Sequence, residues 1–121
     1  MKKRILCVDD SNTALILLEY ALSEAGFEAV LAMSVEQAII SIETQKPDLI
    51  LLDLSMPEVS GYEFLEMRKR LKIEDVPVIV ISAYDSTDSI TTIRNLGAFD
   101  FISKPIKIDA VVEKIKKCLN K

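Results

Sequence analysis

The sequence contains no histidine and no tryptophan, and only two cysteines, three glycines and four prolines. Without histidine the chain cannot form a Ser-His-Asp or Cys-His catalytic unit or an HExxH zinc site, and it cannot itself donate a phosphoryl group from histidine. Cys7 and Cys118 lie far apart among apolar neighbours, so we predict two small buried thiols rather than a disulfide framework. Chemistry in this chain must therefore use carboxylates, hydroxyls, lysine, thiols or a bound ion.

Length and composition predict one ordinary globular domain over residues 1–121, with no output domain attached. Half of the residues are hydrophobic and 28% are charged, which argues against disorder. The net charge of −4 disfavours direct binding to nucleic acid or to an anionic membrane, because both require a basic face. The basic residues 2–4 precede an apolar run too short for a secretory or membrane-spanning segment. We therefore expect a cytoplasmic protein.

Short apolar runs alternate with stretches of helical period. The strongest runs, 5–8, 49–52 and 78–81, are continuously apolar, which is typical of strands covered on both faces of a parallel sheet. Weaker runs at 29–32 and 99–102 complete a set of five. Because crossovers between parallel strands are nearly always right-handed, helices cover both faces. The pattern predicts an α/β fold: a doubly wound, five-stranded parallel sheet with five helices in three α/β/α layers. The expected strand order, 2-1-3-4-5, is that of the flavodoxin-like fold class and is not read from the pattern itself.

The helices are predicted from the spacing of apolar residues and from signals at the helix ends. Ser34 and Gln37 have the spacing of a capping box at the start of the second helix. Gly26 and Gly97 stand where the first and fourth helices should end. The five predicted helices lie at about 15–25, 35–42, 61–71, 86–96 and 108–119.

Four of the five predicted strands end in polar groups that share one edge of the sheet, where ligands bind in this fold class. These groups are Asp9 and Asp10 after the first strand, Asp53 after the third, Ser82 after the fourth, and Ser103-Lys104-Pro105 after the fifth. A single aspartate after a strand is most often a cap or turn residue. Several carboxylates brought together repel one another unless a cation lies among them. Lys104 offers one positive charge, and Mg²⁺, with Mn²⁺ as the alternative ion, suits carboxylate oxygens.

At these positions the chain resembles the receiver domains of two-component response regulators, and the resemblance extends over the whole sequence. The motifs occur in the order and spacing of that family, and together they are far more specific than any one of them. They are Val8-Asp9-Asp10-Ser11, residues 51–57 with Gly61, Val80-Ile81-Ser82-Ala83, and residues 97–105 ending in Lys104-Pro105. The resemblance implies a signalling domain rather than an enzyme, either a stand-alone regulator of the chemotaxis type or a phosphorelay intermediate.

The resemblance also implies roles for individual residues. Asp53 matches the phospho-acceptor, which takes a phosphoryl group from a phosphohistidine of a sensor histidine kinase or phosphotransfer protein. Asp10, Asp53 and the backbone carbonyl of Ser55 match the direct Mg²⁺ ligands, and Asp9 matches the residue that reaches the ion through water. Lys104 matches the lysine that pairs first with the acceptor and then with the phosphoryl group.

Further matched residues imply a conformational switch and influence how long the phosphate stays bound to the acceptor. Ser82 matches the hydroxyl that turns towards the phosphoryl group, and Phe101 the aromatic that follows it inward. This motion would repack the fourth helix, fifth strand and fifth helix for a downstream protein target. Ser55 and Tyr84 occupy positions that tune the lifetime of the phosphate, and their identities predict slow dephosphorylation. The peptide bond before Pro105 is cis in relatives.

Other classes of function fit the sequence less well. An aspartyl-phosphate phosphatase of the haloacid-dehalogenase type needs a second aspartate two residues after its nucleophile, where this chain has Ser55. A nucleotide or flavin domain would need a GxxxxGK[ST] or GxGxxG motif, and the sequence has neither. A receiver-like module that works by binding alone stays open, although such proteins usually lose an acidic residue or the lysine. We expect a monomer or a weak homodimer.

Overall fold

The computed structural model of the protein describes residues 2–54, 61–82, 91 and 94–120. These residues contain a parallel sheet of five strands in the order β2-β1-β3-β4-β5. The sheet therefore has the predicted order 2-1-3-4-5, and the topological switch point lies between β1 and β3. The strands are β1 (Arg4–Val8), β2 (Glu28–Ala32), β3 (Leu49–Asp53), β4 (Val78–Ser82) and β5 (Asp100–Ser103).

Helices cover both faces of this sheet, as the flavodoxin-like prediction requires. The described helices are α1 (Asn12–Glu24), α2 (Val35–Thr44), α3 (Gly61–Leu71) and a C-terminal helix (Ile108–Asn120), which is the fifth helix of the prediction. The predicted fourth helix, 86–96, lies largely outside the described residues. No helix in the part of the chain that the structure describes is both long and apolar enough to cross a bilayer.

Alternate residues of the central strands point into two separate cores. Ile5 and Cys7 of β1 pack beneath α1 and the C-terminal helix, whereas Leu6 and Val8 pack on the other face beneath α2 and α3. All four side chains are buried. Since both faces of the strand are covered, every position must be apolar, which explains the continuous runs in the sequence.

The two cysteines are buried thiols, as predicted. Both belong to the core beneath α1 and the C-terminal helix. Burial, reinforced by the nearby carboxylates of Asp9 and Glu19, raises the pKa of the Cys7 thiol to about 12. Cys7 is therefore an inert core residue rather than a nucleophile.

The start of α2 matches its predicted capping signal in part. The hydroxyl of Ser34 accepts from the Gln37 amide at 3.1 Å, as a capping residue should. The Gln37 side chain accepts from the Met33 amide at 2.8 Å, one residue further back than in a standard capping box. The helix therefore begins where the sequence predicts, but the hydrogen bond to the Gln37 side chain comes from one residue further back than in a standard capping box.

The fifth strand begins one residue later than predicted. The Phe99 amide already donates to the Val78 carbonyl at 2.8 Å, but the Phe99 side chain is 54% exposed and the residue precedes β5. An aromatic residue in a turn resembles the start of an apolar strand in the sequence, and only the packing distinguishes them.

Candidate functional site

The parallel pairing of β1 with β3 brings two acidic residues side by side. Val8 pairs with Leu52 in the register of these strands, so Asp9 and Asp53, one residue further on, reach the same edge of the sheet. Both are almost completely buried, whereas Asp10 is exposed. Each of the three carboxylates offers one oxygen, and these oxygens lie within 4.8 Å of one another.

The two oxygens of the Asp9 carboxylate differ in their surroundings. Its Oδ1 accepts from the Ser11 amide at 2.9 Å, and Ser11 in turn caps the start of α1 by accepting from the Ala14 amide. Its other oxygen, Oδ2, is buried and has no hydrogen-bond partner among the described residues. Burial, followed by the neighbouring Asp53 carboxylate, raises the pKa of Asp9 to about 6, against the opposing effects of the Ser11 amide and Lys104.

This acidic cluster is compatible with a metal site. A buried carboxylate oxygen without a partner is costly, and a divalent cation held between the three carboxylates would satisfy it. Carboxylate oxygens are the ligands that Mg²⁺ prefers. The predicted backbone ligand, Ser55, lies outside the described residues. Within the described part of the chain, the acidic cluster consists of Asp9, Asp10 and Asp53.

Lys104 approaches the cluster from the end of β5. Its Nζ lies 3.2 Å from Oδ2 of Asp53, and its backbone amide donates to the Ser82 carbonyl at 3.0 Å. The Asp53 side chain is 1% exposed and that of Lys104 is 31% exposed, so the ammonium group reaches a buried acid from the rim. The peptide bond between Lys104 and Pro105 is cis.

The two predicted switch residues lie on neighbouring strands. Ser82 is the last residue of β4 and is buried. Phe101 of β5 is opposite Val80 in the strand register, and its half-buried ring packs on the core beneath α2 and α3. Tyr84, predicted to tune the phosphate lifetime, lies outside the described residues. The structure thus places Asp9, Asp10, Asp53 and Lys104 in one cluster, with Ser82 at the same edge.

One feature beside the cluster was not predicted from the sequence. A cavity of about 320 Å³ opens between α1 and the segment that follows β5. Its polar lining residues are Asp9, Ser11, Thr13 and Lys104, and Leu17 and Ile106 are among its apolar ones. The sequence could have indicated an apolar surface here, because Ile16 and Leu17 are apolar residues of α1 that fall outside its core-facing stripe. Both are more than half exposed.

The sequence matches the family described as the response regulator receiver domain over residues 5–116. It is 36% identical over 121 residues to sporulation initiation phosphotransferase F of Bacillus subtilis, covering 98% of this chain and 95% of that protein. It is 33% identical to the alkaline phosphatase synthesis transcriptional regulatory protein PhoP of the same organism, but there the chain spans only half of the relative's length.

Comparison with solved structures agrees with the sequence match. The fold superposes on a CheY-like response regulator receiver domain protein from Methanospirillum hungatei with a TM-score of 0.90. The two are 31% identical, and the match covers 99% of this chain and 95% of the other. The acidic cluster and its lysine lie at the carboxyl edge of the sheet, where ligands bind in this fold. On this evidence, the chain belongs to the response regulator receiver domain family.

Proposed function

We propose that Asp53 accepts a phosphoryl group from a phosphohistidine of a sensor histidine kinase or phosphotransfer protein, in a reaction that requires Mg²⁺. The modified domain then signals to a downstream protein target. The observation that carries this proposal is the surroundings of Asp53: a buried carboxylate with the Lys104 ammonium at 3.2 Å and two further carboxylates close by.

The proposed transfer is a direct displacement at phosphorus. One oxygen of Asp53 forms a new P–O bond while the P–N bond of the donor breaks. The imidazole nitrogen leaves with the bonding electron pair. A carboxylate, unlike a serine hydroxyl, needs no general base to act as a nucleophile, which is consistent with a chain that has no histidine. Catalysis then depends on positioning and on neutralising negative charge.

The residues of this chain divide that work. Asp9, Asp10 and Asp53 would hold the ion, and Lys104 would move its hydrogen bond from Asp53 to an oxygen of the transferred group. A bound Mg²⁺ supplies positive charge next to the phosphoryl oxygens. The ends of β3 and β5 hold the Asp53 and Lys104 side chains 3.2 Å apart, which supports their proposed roles as acceptor and charge partner.

Phosphorylation adds about 1.5 to 2 negative charges and new acceptor oxygens at Asp53. Ser82, at the end of the neighbouring strand, would donate to one of these oxygens, and Phe101 would then move inward. The position of Phe101, opposite Val80 and packed on the core beneath α2 and α3, supports this proposal. The repacked surface of the predicted fourth helix, β5 and the C-terminal helix would bias a two-state equilibrium read by the target.

The donor is proposed to dock on the exposed apolar surface of α1. Ile16 is 55% exposed and Leu17 is 53% exposed, and Leu17 also lines the cavity that contains Asp9 and Lys104. A helix of the donor protein packed here would bring its phosphohistidine to the rim of the cluster. The proposal has three further parts. The phosphate is lost slowly, at a rate tuned by Ser55 and Tyr84. The protein is cytoplasmic, and it is a monomer or a weak dimer.

Phosphorylation by a small donor tests the central claim. Wild-type protein incubated with acetyl phosphate and Mg²⁺ should gain the mass of one phosphoryl group, and Asp53→Asn should gain none. Asp109→Asn, which alters an exposed carboxylate in the C-terminal helix, is the control and should react like wild type. Unmodified wild-type protein in the presence of Mg²⁺ would contradict the proposal and favour a module that works by binding alone.

A further inference from the structure

Arg68 connects the end of α3 to the segment that leads into β5. Its Nη2 donates to the Leu96 carbonyl at 3.0 Å, and its Nε donates to the Leu65 carbonyl of its own helix at 3.3 Å. The side chain is half-buried. A guanidinium group has several donors in a fixed plane, so one side chain can bind carbonyls from two elements in a defined geometry.

Gly97 leaves the space that this guanidinium group occupies. A Cβ atom at Gly97 would overlap Nη2 of Arg68. Gly97 also has a left-handed backbone, with φ of +97°. Gly26 at the end of α1 has a similar φ of +92°, but a Cβ atom there would meet nothing within 4 Å. A side chain at Gly97 would therefore move the tip of Arg68 from its place, whereas a side chain at Gly26 would displace nothing.

The connected segment continues directly into the sheet. The Gly97 amide donates to the Arg94 carbonyl at 2.9 Å, and the Phe99 amide donates to the Val78 carbonyl at 2.8 Å. Leu96 packs on the same core as Phe101. These contacts lie at the amino ends of β4 and β5, whereas Asp53 and Lys104 lie at the carboxyl ends of their strands.

We propose that Arg68 is a positioning residue that fixes residues 94–97 as the pivot of the signalling rearrangement, an inference that rests on the proposed function. Phosphorylation acts at the carboxyl edge of the sheet, through Ser82 and Phe101. Arg68 holds the segment 94–97 at the opposite edge, so this segment stays in place while Ser82 and Phe101 rearrange. Because Arg68 keeps its contacts in both states, it directs the motion without favouring either state.

Nuclear magnetic resonance with beryllofluoride, a phosphoryl mimic, and Mg²⁺ tests the pivot. In the wild type the Nε signal of Arg68 and the amide signals of Gly97 and Phe99 should not shift when beryllofluoride binds. In Arg68→Ala the Gly97 and Phe99 amides should shift, while the half-saturating beryllofluoride concentration stays within about twofold of wild type. Lys69→Ala, an exposed neighbour in the same helix turn, is the control and should behave as wild type.

A thermal double-mutant cycle tests the contact itself. Gly97→Ala should lower the unfolding midpoint more than Gly26→Ala, because it both strains the backbone and displaces Arg68. In an Arg68→Ala background the two glycine substitutions should lower the midpoint equally. Equal losses in the wild-type background would overturn the inference, because Gly97 would then serve only its backbone conformation.

The outcomes separate this inference from the proposed function. Absence of a bound beryllofluoride ¹⁹F signal in the wild type would overturn the proposed function, and the pivot with it. A bound signal accompanied by a shifted Arg68 Nε resonance would overturn the pivot alone. So would a bound signal with Gly97 and Phe99 amides that stay unmoved in Arg68→Ala.

Discussion

Nζ of Lys104 lies 3.2 Å from Oδ2 of Asp53, although 51 residues separate the two in the sequence. The contact joins the ends of two strands that are not neighbours, since β4 lies between β3 and β5. Lys104 is also tied to β4, because its amide donates to the Ser82 carbonyl. The ammonium group is therefore positioned by the sheet itself, and one lysine balances only part of the charge of three clustered carboxylates.

Replacing this lysine should slow phosphorylation far more than it perturbs the fold. In Lys104→Ala we expect the rate of modification by acetyl phosphate to fall about a hundredfold, because a positioned charge that meets the developing negative charge is lost. The rate is measured by mass spectrometry over time at fixed Mg²⁺ concentration.

Lys107→Ala is the matched control for this change. Lys107 is exposed and lies three residues further along the chain, so its loss should leave the rate within about twofold of wild type. Equal rates for Lys104→Ala and Lys107→Ala would show that the ion pair with Asp53 plays no part in the transfer.

The fold was predictable because its signals are local and repeated. Residues 5–8 alternate between two cores in the structure, and that double burial is what an unbroken apolar run indicates. The start of β5 was misplaced because Phe99, although aromatic, is exposed in a turn. The sequence shows that a residue is apolar, but it does not show whether the side chain packs in a core or lies exposed.

The position of the site was predictable, and its electrostatics were not. Parallel strands end at one edge, so Asp9, Asp53 and Lys104 had to come together once the strand order was known. Oδ2 of Asp9 has no hydrogen-bond partner among the described residues because of the rotation of one carboxylate, which the sequence does not specify. The contact of Arg68 with Leu96 joins residues 28 apart, and no local pattern encodes it. The roles of Ser55 and Tyr84 came from the resemblance alone and stay predictions.

Asp9 should make the metal-free protein less stable as the pH rises. Its pKa in the folded protein is about 6, above the ordinary value of 3.8, so the folded state favours the protonated acid. That contribution is fully present below pH 3.8 and is lost as the pH rises through about 6. With a chelator present, the free energy of unfolding should therefore lose about 3 kcal/mol from this group across that window.

Asp9→Asn removes the titrating group and should flatten this part of the pH profile. At pH 7 without metal the variant should unfold at a higher temperature than wild type, because a buried negative charge beside the Asp53 carboxylate is gone. Asp10→Asn, at an exposed position, is the control and should change the profile much less. Thermal melts from pH 4 to pH 8 measure the two pH profiles. Parallel profiles for wild type and Asp9→Asn would contradict the prediction.

The end of α3 offers a stabilising substitution. Lys72 has a left-handed backbone with φ of +61°, and the amide of Ile73 donates to the Arg68 carbonyl at 3.0 Å. α1 ends in the same hydrogen-bond pattern with a glycine at the corresponding position, Gly26. Because left-handed backbone is unfavourable for lysine, Lys72→Gly should raise the free energy of unfolding by about 1 kcal/mol. Urea denaturation measures the change.

Two further variants isolate the backbone effect. Lys72→Ala removes the exposed side chain but keeps the strain, so its stability should stay within about 0.5 kcal/mol of wild type. Gly26→Ala introduces the strain into α1 without a steric clash and should lower stability by about 1 kcal/mol. A gain for Lys72→Ala as large as that for Lys72→Gly would assign the effect to the side chain.

The exposed apolar surface of α1 should matter for a protein donor and not for a small one. In Leu17→Ala, phosphoryl transfer from a phosphohistidine-containing partner should slow about tenfold, because an apolar contact beside the cluster is lost. Modification by acetyl phosphate should be unchanged, since Asp53 and Lys104 are untouched. Ile40→Ala, on the exposed face of α2 and 63% exposed, is the matched control and should affect neither reaction. Equal slowing with both donors would place the defect in the acidic cluster and remove the case for docking on α1.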